Sequence, residues 1–71
     1  MRSDFMRGII KIFDQTKGFG FIEVENHRDV FFHFSHLIVE GFKTIELGTE
    51  VEFELVKTDK GYQAHNILRI S

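Results

Sequence analysis

The chain has 71 residues, 42% apolar and 28% charged, which suits one soluble domain, leaves no room for a second core and is wrong for a disordered chain. It has no Cys, which excludes a disulfide scaffold and thiolate metal sites. No apolar run nears the ~20 residues of a bilayer-crossing helix. Eleven acidic against nine basic residues, net charge -2, argue against a protein held to duplex DNA chiefly by phosphate contacts.

Met1-Arg2-Ser3-Asp4 lacks an apolar core after its Arg, so no export signal is expected. A reducing cytoplasm is the expected compartment. Short apolar-alternating runs then follow, separated by Gly, Asn, Asp and Lys, with no sustained helical period. Strands are expected over Met6–Phe13, Phe19–Val24 and Val30–Phe34. Turns fall at Asp14–Gly18 and Glu25–Arg28. A long link from Ser35 to Gly48 follows, with one short helical turn expected at Ser35-His36-Leu37. Two further strands are expected, Glu50–Val56 and Gln63–Ile70, joined by a turn at Thr58–Gly61. Three strands, a long link and two strands predict an all-β fold, a five-stranded antiparallel barrel of the oligonucleotide-binding (OB) type.

Charge is unevenly spread. Residues 1–21 carry four basic and two acidic side chains, residues 22–56 two and eight, and residues 57–71 three and one. Basic surface is therefore expected from the first strands and the last turn.

Successive strand side chains face opposite sides, so charged positions mark the wet face. In the fourth run Glu50, Glu52 and Glu54 oppose Val51, Phe53 and Leu55, which makes Phe53 core. In the second, Lys17, Phe19, Phe21, Glu23 and Glu25 share one parity, so Phe19 and Phe21 belong on the wet face. In the third, Asp29, Phe31 and His33 are wet and Phe32 is core. In the first, Lys11 and Phe13 join the exposed set, and Ile12 has core parity unless a bulge turns it outward. An outer face bearing Lys11, Phe13, Phe19, Phe21, Phe31 and His33 is expected. Contiguous exposed apolar surface marks a binding site or an aggregation hazard, and flat rings among cations suit single-stranded nucleic acid.

Lys17-Gly18-Phe19-Gly20-Phe21-Ile22 resembles the first ribonucleoprotein motif of cold-shock domains, and Asp29-Val30-Phe31-Phe32-His33-Phe34 resembles the second. Gly41-Phe42-Lys43-Thr44 is similar to the family's loop between the third and fourth strands. The resemblance runs from about Gly8 to Ile70. It implies a cold-shock domain over residues 6–71, preceded by an extension over residues 1–5. It further implies binding of single-stranded RNA and single-stranded DNA with low sequence specificity and pyrimidine preference, and action as an RNA chaperone or a regulator of transcription and translation. Carried over position by position, it adds Lys17, Phe34 and Phe42 to the site, with Ile12, Lys43, Tyr62 and Gln63 as further candidates.

The chain departs from the family pattern at three places. Ile12 stands where an aromatic, most often Trp, is usual. Asp14 stands where Asn is common, and Tyr62 where Pro is frequent; Tyr62 is either a replacement ring at the rim or a packing residue. Gln63 and Asn66 either hydrogen-bond bases or cap the last strand. His65 shares parity with Ile67 and is expected to be a partly buried histidine.

No enzyme is expected: there is no Cys nucleophile, phosphate-binding Gly-rich loop or convincing carboxylate pair. No cofactor, metal or membrane partner is expected either. His33 and His36, three apart on a strand, point opposite ways. The expected state is a monomer or a weak, strand-exchanged dimer. The competing reading is a protein-interaction or dimerisation module using the same aromatic face.

Overall fold

The computed structural model describes residues 5–39, 41 and 43–70. Five strands form a closed barrel in the order β1-β2-β3-β5-β4. They are β1 (Phe5–Asp14), β2 (Phe19–Glu23), β3 (Val30–His33), β4 (Glu50–Thr58) and β5 (Gly61–Arg69). A 3₁₀ turn, Phe34–His36, follows β3 directly. β1 is the longest strand and serves two neighbours: Phe5–Ile9 pair with β4, and Ile9–Asp14 pair with β2. Four pairings are antiparallel. The closing one is parallel and rests on Phe31 opposite Gln63, reinforced by the Leu37–Ile67 bridge and a 2.9 Å bond from the Ile38 amide to the Ile67 carbonyl.

The turns are held by the residues that punctuate the sequence. The Asp14 carboxylate accepts the Lys17 amide at 3.0 Å, and its carbonyl accepts the Gly18 amide at 2.7 Å. Gly18 sits at φ 80°, where a Cβ would be strained, and a Cβ there would also meet the Phe34 ring at 3.0 Å. The Thr58 hydroxyl donates to the Gly61 carbonyl at 2.8 Å and accepts the Lys60 amide at 3.2 Å.

The core holds Ile10, Ile22, Val30, Phe32, Val51 and Phe53 of the strands, joined by Leu37 and Ile45 of the long link. Phe32 and Phe53 are wholly buried, as parity predicts; truncating a buried Phe costs ~3–5 kcal/mol. Gly20 is where β1, β2 and the core meet most tightly. A Cβ there would lie 2.2 Å from the Ile12 carbonyl and 2.8 Å from the Phe32 ring.

Two bulges break the simple alternation. Ile10 pairs with Ile22 and Ile12 with Phe21, so β1 advances two residues while β2 advances one, and Lys11 is the extra residue. Ile12 is thereby turned outward and is 48% exposed, against its core parity. Phe13 is corrected the other way. It lies opposite Gly20 and is half-buried against the core. Its ring stacks on Phe32 at 5.8 Å and 15° instead of standing free on the wet face. On β5, Glu54 pairs with His65 and Glu52 with Leu68. The extra residue is Asn66, at φ 52°, a left-handed geometry Asn tolerates. Ala64 and Ile67 therefore both point inward, and His65 lies on the outer side, half-buried.

Candidate nucleic-acid interface

The β1 bulge and the closing parallel pair set one row of side chains across four strands. Ile12 stands opposite Phe21, Phe21 opposite Phe31, and Phe31 opposite Gln63. The alternate neighbours Gly20, Ile22, Val30 and Phe32 are buried, so this row is on the outer face. Phe19 and His33, paired with each other, form the next row.

The rings shield one another, which is why Phe19, Phe21 and Phe31 are half-buried rather than fully exposed. Phe31 is the hub. It stacks on Phe19 at 5.9 Å and meets Phe21 edge-on at 5.8 Å and 72°. Such cross-strand aromatic pairs contribute ~0.2–1 kcal/mol each. The rings thus brace one another before any ligand arrives, and the outer surface they form is apolar.

His33 is exposed and caps the 3₁₀ turn. Its Nδ1 accepts the Ser35 amide at 3.2 Å, so a neutral ring carries its proton on Nε2. The Phe34 ring stands edge-on to His33 at 5.0 Å, half-buried over Gly18. Alternation alone places Phe34 inward; the 3₁₀ turn beginning at Phe34 explains its intermediate position.

Lys17 is exposed at the β1–β2 turn. Lys11, on the bulge, donates to the Asp29 carboxylate at 2.9 Å. That hydrogen bond, then the charge of Asp29 and more weakly that of Glu23, raise the Lys11 pKa. Lys43 donates to the Leu37 carbonyl at 3.0 Å, joining two parts of the long link. Phe42 lies outside the described residues.

A cleft of about 280 Å³ opens at the end of the row, lined by Phe31, Lys60, Tyr62 and Gln63. Tyr62 is 46% exposed and meets the His27 ring edge-on at 6.0 Å. A second hollow of about 230 Å³ lies among Arg7, Gly8, Ile9, Glu23, Glu25 and Glu50. Three carboxylates against one guanidinium repel phosphate there, so the aromatic face is the electrostatically suitable one. Among the described residues, no group of three or more His, Cys, Asp or Glu side chains could hold a metal ion, and no helix is long and apolar enough to cross a membrane.

One family model, described as the 'Cold-shock' DNA-binding domain, matches residues 6–70. The chain belongs to the cold-shock domain family. It is 52% identical over 64 residues to cold shock protein CspA of Staphylococcus saprophyticus, covering 90% of this chain and 97% of that relative. The same figures hold for cold shock protein CspB of Bacillus caldolyticus. Among solved structures, drosophila Unr CSD456 superposes with a TM-score of 0.80 at 28% identity, over 96% of this chain and 27% of that one. The expected OB-type barrel is thus observed, and the cold-shock domain belongs to a family of nucleic-acid-binding domains.

Sequence spacing gives no sign of one arrangement in this cold-shock domain. His36 and His65, 29 positions apart, stack face to face at 3.8 Å and 7° across the β3–β5 seam. Only the barrel closure and the Asn66 bulge bring them together.

Proposed function

We propose that this cold-shock domain binds single-stranded RNA and single-stranded DNA in the cytoplasm, by stacking unpaired bases on the face built by Phe19, Phe21 and Phe31. Ile12, Phe13, Phe34 and Tyr62 flank that face, and Phe42 joins the site by the family resemblance alone. Lys11, Lys17 and Lys43 serve the phosphates, and His33 and Gln63 donate to base edges. The observation that carries the reading is the Ile12–Phe21–Phe31–Gln63 row, apolar across three strands and ending at the polar Gln63 in a cleft with Lys60 and Tyr62. Base stacking on aromatic side chains is worth ~1–3 kcal/mol per base and tolerates any sequence, so a domain of net charge -2 does not need a strongly basic surface. The activity this supports is that of a low-specificity, pyrimidine-preferring RNA chaperone or a regulator of transcription and translation, not an enzyme.

The test is fluorescence anisotropy with labelled pyrimidine-rich oligonucleotides. Single strands bind well above duplex of the same sequence, because only unstacked bases reach the rings. Equal affinity for duplex overturns the stacking reading. Affinity falls as salt rises, in proportion to the phosphates neutralised; an affinity indifferent to salt favours protein docking or dimerisation through the same face.

A further inference from the structure

The His36–His65 stack reaches the candidate interface through one side chain. His65 Nε2 lies 3.4 Å from Gln63 Oε1. An amide oxygen only accepts, so this contact is a hydrogen bond in the tautomer that carries the His65 proton on Nε2. Gln63 in turn lines the cleft beside Phe31 and Tyr62, and its backbone is fixed opposite Phe31.

The stack fixes the plane from which His65 donates. His36 belongs to the 3₁₀ turn that follows β3, whereas His65 belongs to β5, so the two rings are clamped from opposite sides of the seam. Burial, then His65, then His33 lower the His36 pKa, which favours the neutral ring that stacking requires.

We propose that the His36–His65 stack positions the Gln63 amide so that the cleft beside Phe31 presents hydrogen-bond donors, selecting bases that carry carbonyl oxygens over adenine. The inference rests on the single-strand-binding reading above and deepens it. With its oxygen engaged by His65, the amide turns its NH₂ toward a base stacked on Phe31. Uracil and thymine each offer two carbonyl oxygens to such a donor, and cytosine offers one. Adenine has no carbonyl oxygen; its acceptors are ring nitrogens, and N1 and N7 each flank the exocyclic amine, whose hydrogens oppose those of the NH₂ donor to donor. His36 and His65 are thus positioning residues; Gln63 makes the contact.

The experiment compares affinity for oligothymidine and oligodeoxyadenosine of equal length. His65→Phe keeps a ring for the stack and removes the donor. It lowers the thymidine-to-adenosine affinity ratio by about threefold or more, the loss expected for one neutral hydrogen bond. The stiffness of each oligonucleotide is the same for wild type and variant, so it cancels in the comparison. A merely structural defect weakens both ligands alike and leaves the ratio unchanged, which overturns the proposal. In a Gln63→Ala background the same substitution leaves the ratio unmoved; a drop that persists without Gln63 also overturns it. His36→Ala, which alters the 3₁₀ turn and no barrel strand, is the second variant: it lowers the ratio in the same direction, and a wild-type ratio there overturns the role of the stack. Wild-type protein that binds neither oligonucleotide defeats the functional reading itself, whereas binding with unchanged ratios defeats only this inference.

Discussion

Ile12 faces Phe21 across the β1–β2 ladder while Ile10, two residues earlier, still faces Ile22. The Lys11 bulge that makes this possible carries Ile12 out of the core and into line with the rings. On the stacking reading proposed above, an apolar side chain 48% exposed beside an aromatic row occupies a base subsite with a residue that cannot stack. Ile12→Trp therefore raises affinity for single-stranded oligonucleotide by about 1 kcal/mol, the low end of what one stacked base contributes, and leaves the melting temperature nearly unchanged. Anisotropy titration measures the gain, and the new Trp fluorescence is quenched by bound bases. A folded variant with wild-type affinity shows that bases do not reach the β1 side of the row.

Phe31 touches both other rings of the platform and lines the cleft; Phe21 touches only one of them. Phe31→Ala is therefore expected to weaken binding more than Phe21→Ala, both within ~1–3 kcal/mol. Three Phe truncations separate the site from the core. Phe53, wholly buried, loses ~3–5 kcal/mol of stability on truncation. Phe13→Ala, by contrast with Phe21→Ala, lowers stability as well as affinity, because its ring lies on Phe32. Urea titration beside anisotropy reads the two effects apart. A Phe13→Ala protein as stable as wild type contradicts the packing role of that ring.

The barrel, its strand order in sequence and the outward Phe19, Phe21 and Phe31 were legible because alternation with charged neighbours reports facing directly. What escaped it was each place where alternation is broken. Lys11 as an extra residue exchanged the faces of Ile12 and Phe13, and nothing in Ile9-Ile10-Lys11-Ile12-Phe13 marks which residue is extra. Asn66 as an extra residue broke the shared parity of His65 and Ile67, although His65 is half-buried as expected. The parallel Phe31–Gln63 pair joins residues 32 apart in sequence, so the cleft and the His36–His65 stack depend on closure, which no local pattern encodes. Phe34 escaped for a different reason: the strand ended one residue earlier than its apolar run.

Lys17 and Lys11 are both exposed, yet they are electrostatically unequal. Lys11 already holds a carboxylate at 2.9 Å, so a phosphate gains a cation there only by competing with Asp29. Lys17→Ala is expected to reduce the slope of log affinity against log salt by about 0.7, the value for one phosphate contact to a single strand. Lys11→Ala changes the slope less. Asp29→Asn releases the Lys11 charge and steepens the slope. Titration across a salt series decides among them; equal losses for the two lysines show that the ion pair opens on binding.

Acid should act on the seam before it acts on the carboxylates. The His36 pKa is lowered from 6.5, by burial first and then by His65 and His33. The unfolded chain therefore binds more protons than the native state over the window between the lowered value and 6.5. Stability rises with pH across a window of that sign. The contribution is complete above pH 6.5, and it is lost as pH falls below that value toward the native pKa of His36. Ordinary carboxylates titrate near about 4, well below the start of this loss. Wild type is expected to lose stability from about pH 6.5 downward, and His36→Ala to be flatter over the same interval. Urea midpoints measured between about pH 8 and about pH 5 provide the comparison, since the histidine window lies inside that range. Identical pH profiles for the two proteins show that the His36 ring is not destabilised by protonation, and that the stack tolerates a charge.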